Sequence, residues 1–237
     1  MKVEVSLTPA LYPYRTLRRP HVTVAVDILR ATTAVCAAFQ AGCDEVLPLD
    51  TLEGIERYRS QGYLVAAERG GRKVDDAEYG NSPTEYLRHD MHGVKIAYST
   101  TNGTISILRA GDADAALVGC FANLGALVSW LRKNDMDTVV LCSGWQNDFC
   151  LEDTLFAGAL LERLAPVATP CGDAATMALT LWRQAQDDPF AYCQQATHVH
   201  RLYGFGAEAD VRFAFRVDTC PVVPMLKNGT LRLVTER

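Results

Sequence analysis

The sequence predicts an α/β fold with three α/β/α layers, a largely parallel sheet, and a short antiparallel β segment at the C-terminus. Three observations carry this. Apolar β-rich runs alternate with helix-like segments, the signature of βαβ units. Polar clusters recur where such a run hands over to a helix. The tail changes character and carries the tight-turn pair Asn228-Gly229.

Taken in order, the patterning predicts strands over 3–7, 22–28, 45–49, 63–67, 95–99, 115–118 and 138–142. Helices are predicted over 33–41, 51–59, 83–89, 103–110, 123–133, 151–164, 173–185 and 189–202. The first strand follows from the alternation of Lys2-Val3-Glu4-Val5-Ser6-Leu7, the second from the apolar run Val22-Thr23-Val24-Ala25-Val26. Ser82-Pro83 followed by Glu85 reads as a helix start, with Ser at the cap and Pro at the first position. In the tail, Val211–Val217, Val222–Pro224 and Thr230–Val234 read as β segments, two of them joined in a hairpin.

The 237 residues and 26.0 kDa suit one large domain or two small ones; we expect a single domain over 1–237, with two similar α/β lobes as the alternative. Hydrophobic residues at 49% and charged residues at 22% are ordinary for a globular protein. A net charge of −5 and a pI of about 5.5 argue against a nucleic-acid partner. No apolar run reaches the ~20 residues a membrane span needs. The N-terminus lacks the apolar stretch of a signal peptide, so a cytoplasmic location is expected. A homodimer is expected from size and class. The 8 cysteines include no CxxC pair, which argues against a zinc knuckle or a thioredoxin-type site, and most read as small buried hydrophobes.

The most informative segment is Val26-Asp27-Ile28-Leu29-Arg30-Ala31-Thr32-Thr33. It places an acid, an arginine and two hydroxyls at a strand-to-helix handover, the usual ligand position in an open α/β sheet. Helix N-termini favour anions. The acid is suited to hold a metal or to join the chemistry, and the arginine to hold a phosphoryl oxygen. Ser99-Thr100-Thr101-Asn102-Gly103-Thr104 echoes this arrangement, although Thr and Asn are also common helix caps. Glu68-Arg69-Gly70-Gly71 again sets an acid and an arginine at a strand end, with glycines that let a backbone approach a ligand. The helix start explains Ser82 and leaves Asn81 free for a site. Ser143-Gly144 opens a loop that ends in Glu152-Asp153, two acids in the first turn of a helix. Oxygen donors of this kind suit Mg²⁺.

Asp210 and Asp218 read as flanking one strand on the same face, as site acids or edge charges. His198 and His200 lack the i, i+4 spacing of a helical metal pair and read as structural or surface residues. Familiar phosphate machinery is absent: no cysteine stands six residues before an arginine, Asp27 is followed by Ile28 and Leu29 and so opens no Asp-x-Asp, and there is no Walker loop and no nucleophile elbow.

Those clusters, in this order, resemble the 2-phosphosulfolactate phosphatase family. The resemblance rests on VDILRATTAVCAAF at 26–39, AAERGGRKVDDAEYGNSPTEY at 66–86, STTNGTISI at 99–107 and CSGWQNDFCLEDTLFAGAL at 142–160. It continues weakly through 201–224, so it spans nearly the whole chain. Cys150 and Asp148 stand where the family carries serine and glycine. The resemblance implies a magnesium-dependent phosphatase converting 2-phospho-3-sulfolactate to 3-sulfolactate, a step of coenzyme M biosynthesis in organisms that make that cofactor.

On that basis Asp27, Arg30, Glu68 and Arg69 are the expected catalytic group. Mg²⁺ is expected on Asp27 with one or more of Glu68, Glu152 and Asp153. Arg30, Thr32 and Thr33 are expected to grip phosphate. Thr101, Asn102, Gly103 and Thr104 are expected to form a second anion turn for the carboxylate or sulfonate, with Thr100, Asn81, Ser82, Ser143 and Gly144 as further substrate contacts. Attack by water and attack by an aspartyl nucleophile both remain open. Two other readings compete: a phosphatase of another small phosphorylated hydroxy acid, and a non-catalytic binder of an anionic metabolite.

Overall fold

A computed structural model describes residues 1–234. In chain order its strands are β1 (Lys2–Ser6), β2 (Val22–Val26), β3 (Glu45–Pro48), β4 (Tyr63–Arg69), β5 (Arg72–Lys73), β6 (Lys95–Ser99), β7 (Ala115–Gly119), β8 (Thr138–Cys142), β9 (Thr169–Cys171), β10 (Pro224–Lys227) and β11 (Thr230–Leu233). The helices are α1 (Ala31–Gln40), α2 (Glu56–Arg59), α3 (Pro83–Tyr86), α4 (Gly103–Ala110), α5 (Leu124–Asn134), α6 (Leu151–Leu164), α7 (Asp173–Ala185), α8 (Pro189–Cys193), α9 (Thr197–Tyr203) and α10 (Glu208–Ala214).

All strands join one sheet, in the order β5-β4-β6-β3-β11-β10-β7-β2-β8-β1-β9. Two parallel blocks are visible in it. Strands β7, β2, β8, β1 and β9 form one, and β3, β6 and β4 the other. The hairpin β10–β11 joins them, pairing antiparallel with β7 on one side and β3 on the other. Asn228 and Gly229 make its turn, both at positive φ, as a tight hairpin requires. The antiparallel C-terminal segment thus sits in mid-sheet.

Every residue of β2 and β8 is buried, on both side-chain faces. A parallel strand in this state needs layers above and below. Helix α4 packs against β2, β7, β3 and β8, α1 against β7 and β10, and α7 against β1 and β9.

Four expectations need correction. The run Val211–Val217 is not a strand: residues up to Ala214 lie in α10. Val211, Ala214 and Phe215, at i, i+3 and i+4, are buried together, a helical spacing that apolar content alone conceals. Asp210 and Asp218 therefore share no strand face; Asp210 is buried in the first turn of α10, and Asp218 sits in a turn at φ +58°. The stretch 189–202 breaks into α8 and α9, and only Glu56–Arg59 of 51–59 is helical.

Candidate active site at the carboxyl ends of the parallel strands

The segments after β2, β4, β6 and β8 meet over one cleft of about 390 Å³. Its walls include Asp27, Arg30, Glu68, Asn81, Asn102, Gly144, Glu152 and Asp153. These eight expected residues come from five separate segments, and parallel strands running the same way bring them together.

Asp27 caps its own turn. Its Oδ1 accepts the Ala31 N–H at 3.0 Å, and its carbonyl accepts the Thr32 N–H at 3.0 Å. Asp27 therefore already fills the anion position at the start of α1, where the sequence suggested a phosphate. The two hydroxyls correct that expectation further. Thr32 Oγ1 donates to the Asp27 carbonyl at 2.8 Å and Thr33 Oγ1 to the Ile28 carbonyl at 2.9 Å, and both side chains are fully buried. They build the turn and are turned away from a ligand. The Leu29–Arg30 peptide bond in this turn is cis.

The second threonine turn also holds a carboxylate of the chain itself. Glu68 Oε1 accepts Thr101 Oγ1 at 3.0 Å, and Oε2 accepts the Thr101 N–H at 3.2 Å. Thr100 and Thr104 cap each other, each backbone N–H donating to the other's hydroxyl, and are buried. Gly103 stands against Asp27 and Ala31, where a Cβ would lie 2.7 Å from Asp27 Oδ2. The two echoing turns are thus in direct contact. Of the second turn, Asn102 faces the cleft.

Asp153 links two strand ends. Its Oδ1 accepts the Ile28 N–H at 2.9 Å and its Oδ2 the Gly144 N–H at 3.1 Å. Ser143 is buried with its hydroxyl on Ser106 at 2.8 Å, outside the cleft. Gly144, at φ +59°, could carry no Cβ without striking the Asp148 carbonyl. Glu152 is 1% exposed, and its Oε2 is buried without a partner among the described residues.

Arg69 departs from its expected place. Successive residues of a strand point to opposite faces, so Glu68 enters the cleft and Arg69 does not. Arg69 donates to Ser99 Oγ at 2.8 Å and to the Ser99 carbonyl at 3.2 Å. Among the described residues lining the cleft, Arg30 is the one arginine. Nη1 donates to Asp210 Oδ2 at 2.7 Å and Nη2 to the Gly71 carbonyl at 2.8 Å. Asp210 in turn accepts Ser82 Oγ at 2.7 Å and Thr84 Oγ1 at 2.6 Å. Ser82 caps α3, accepting the Glu85 N–H, and lines an adjoining groove with Arg30 and Asn81. Tyr98 donates to the Asn81 amide oxygen, which leaves the NH₂ as the free end of that amide.

Sequence reasoning missed several cleft residues. Leu29, Gly71, Trp145, Cys150, His198 and Leu202 complete the wall. His198, expected to be a structural or surface residue, holds the Leu29 carbonyl at 2.7 Å from Nε2 and packs on Trp145 with ring centroids 5.3 Å apart and planes tilted by 34°. Its spacing to His200 carried no signal, because its partner comes from 169 positions away.

The electrostatics are dominated by acids. Burial pushes Asp27, Glu152 and Asp153 well above the usual carboxylate range. Mutual repulsion adds to this: Asp153 raises Asp27, Glu152 raises Asp153, and Asp27 raises Glu152. Burial holds His198 below the usual imidazole value, with Arg201 and Arg30 adding to the effect. Arg30 has its own carboxylate in Asp210, so the acid cluster has no full counter-charge in the cleft. Among the described residues no three His, Cys, Asp or Glu side chains are already drawn into a metal-binding group. The donor chemistry nevertheless suits a hard cation: all oxygens, one of them buried and unpartnered.

The fold and this cleft define an α/β enzyme with an acid-lined site at a strand-end crevice. A family model described as 2-phosphosulpholactate phosphatase matches residues 7–229. A "Probable 2-phosphosulfolactate phosphatase" of Thermosynechococcus vestitus is 36% identical, over 90% of this chain and 95% of that protein. One of the same name from Synechococcus sp. is 37% identical, over 86% and 88%. Another, from Caldanaerobacter subterraneus subsp. tengcongensis, is 30% identical over 92% of each chain. The chain belongs to the 2-phosphosulfolactate phosphatase family, a family of phosphoric monoester hydrolases.

Proposed function

We propose that this protein is a magnesium-dependent phosphatase that hydrolyses 2-phospho-3-sulfolactate to 3-sulfolactate and phosphate, acting in the cytoplasm. One observation supports the metal above the others. Three buried carboxylates, Asp27, Glu152 and Asp153, crowd one cleft whose substrate would itself be an anion. A cation must offset that charge before a phosphate ester can enter. No helix is long and apolar enough to cross a membrane among the described residues.

Asp27 and Glu152 are the residues that would hold the ion. Asp27 has only Oδ1 engaged, and Glu152 has Oε2 unpartnered. Asp153 and Glu68 spend their oxygens on backbone and hydroxyl donors, and so position the strand ends. When bound, the ion supplies charge neutralisation and polarisation of a phosphoryl oxygen. Arg30 brings five N–H donors, of which two are spent on Asp210 and Gly71. The rest are available to a phosphoryl group, and the two spent bonds hold the guanidinium still. Orientation of this kind converts binding into rate. The Asn81 NH₂ and Asn102 add neutral donors at the rim.

The test is phosphate release from 2-phospho-3-sulfolactate with Mg²⁺ and then with EDTA, beside 2-phospholactate and phosphoglycolate. Release that prefers the sulfonate and stops with EDTA supports the proposal. Folded protein that releases nothing from any of them, with magnesium present, overturns it. Asp27→Asn should fold and lose the metal-dependent turnover; full activity in that variant would remove Asp27 from the site.

A further inference from the structure

We propose that Arg201 is a second anion-binding residue of this site, taking the anionic end of the substrate remote from the phosphate. The inference rests on the phosphatase reading above and extends it to specificity. Arg201 lies on α9, which the catalytic motifs do not include. Its guanidinium carbon is 3.5 Å from the ring centroid of Trp145 and 5.7 Å from that of Phe205. Aromatic faces hold a guanidinium flat and leave its N–H edge free.

That edge is directed at the same turn that Arg30 engages. Arg201 Nη2 lies 3.6 Å from the position a Gly71 Cβ would occupy and 3.8 Å from that of Gly70. Arg30 Nη2 bonds the Gly71 carbonyl. Two guanidinium groups therefore bracket Gly71, and they differ in one respect. Both Nη atoms of Arg30 are satisfied by protein acceptors, whereas Arg201 Nη1 is buried with no hydrogen-bond partner among the described residues. A buried charged donor without an acceptor is unfavourable, and marks where an incoming acceptor is favoured.

The surroundings supply room for one. Arg201 lines a cavity of about 1090 Å³ that shares Trp145, Cys150, Glu152 and His198 with the central cleft. A substrate bearing phosphate at one end and a second oxyanion at the other could lie across that shared wall. Its second group would meet the planar, two-donor edge of Arg201, a match for two oxygens of a sulfonate or carboxylate.

The test is steady-state kinetics of wild type, Arg201→Gln and Arg201→Lys on three esters. These are 2-phospho-3-sulfolactate, 2-phospholactate, which lacks the sulfonate, and phosphorylated 2-hydroxyethanesulfonate, which lacks the carboxylate. Arg201→Gln should raise KM for the first at least about tenfold, with kcat changed less, as loss of uniform binding predicts. Arg201→Lys should recover part of it. A matching rise on the sulfonate-only ester assigns Arg201 to the sulfonate; a matching rise on 2-phospholactate assigns it to the carboxylate. An equal rise on all three, or none, overturns the proposal. Wild-type turnover tests the phosphatase reading separately. Should wild type release no phosphate, calorimetric binding of 3-sulfolactate still decides: affinity weaker by at least about tenfold in Arg201→Gln supports the role, and equal affinity ends it.

Discussion

The Asp210 carboxylate lies 2.7 Å from Nη1 of Arg30, although 180 positions of chain separate them. Both side chains are almost wholly buried. The pair fastens α10 to the turn after β2, and Ser82 and Thr84 complete the shell around Asp210.

Removing one member of this pair strands the other. Asp210→Asn should destabilise the fold by about 3–5 kcal/mol, the usual result of leaving a buried charge unpaired. It should also raise KM, because Arg30 loses its anchor. Urea unfolding beside steady-state kinetics checks both effects. Unchanged stability would mean that Arg30 finds another partner.

Crowded acids give the metal-free protein a characteristic response to pH. Asp27, Glu152 and Asp153 have folded-state pKa values above their unfolded ones. The folded state then binds more protons than the unfolded state between those limits, so stability falls as pH rises. In EDTA, Tm should decline from pH 5 to pH 8. Magnesium should reverse the decline by binding the ionised form and releasing protons. Thermal scans across that range, with and without Mg²⁺, give the answer.

Glu152 sharpens the same argument. Glu152→Gln removes a buried, unpaired carboxylate oxygen from a repulsive cluster. The metal-free variant should be more stable than wild type at pH 8 and gain less from Mg²⁺. Function and stability are opposed at this position, as is common at active sites.

Gly103 tests the contact between the two echoing turns. A Cβ there would collide with Ala31 and stand 2.7 Å from Asp27 Oδ2. Gly103→Ala should cost about 1–3 kcal/mol by overpacking. It should also lower kcat by displacing Asp27. A variant with wild-type kinetics and stability would show that the turns can separate freely.

All 8 cysteines are free, and only Cys171 is other than buried. Burial also raises the thiol pKa of Cys36, Cys43, Cys142, Cys150, Cys193 and Cys220. A thiol reagent should therefore modify one cysteine quickly in native protein and the remainder only after unfolding. Peptide mapping should place the fast site at Cys171.

Much of the cleft was legible because position along the chain encodes it. A polar residue directly after an apolar strand sits at the strand's carboxyl end wherever the sheet is parallel. Asp27, Glu68 and Asn102 follow from that rule. Direction was harder to read. Thr32 and Thr33 lie in the right turn and face inward, since backbone carbonyls one turn back are their nearest acceptors. Arg69 was legible in principle, because strand alternation separates it from Glu68. His198 and Arg201 were not, and Asp210, read as a site acid or an edge charge, was set on a strand and without its partner Arg30. They come from short helices after residue 189, where no handover motif marks them, and the apolar content beside Asp210 mimicked a strand.

By itself the sequence determined the α/β class, the strand-to-helix handovers and the likeness to one enzyme family. These depend on local period and on residue type at fixed spacing, which a single chain displays directly. Tertiary structure alone decided that the C-terminal hairpin joins two parallel blocks, that Glu68 fills the threonine turn, and that Asp210 holds Arg30. Each of these is a pairing between distant segments. Such pairings are selected by burial and by hydrogen-bond satisfaction across the whole molecule, and no local pattern carries that information.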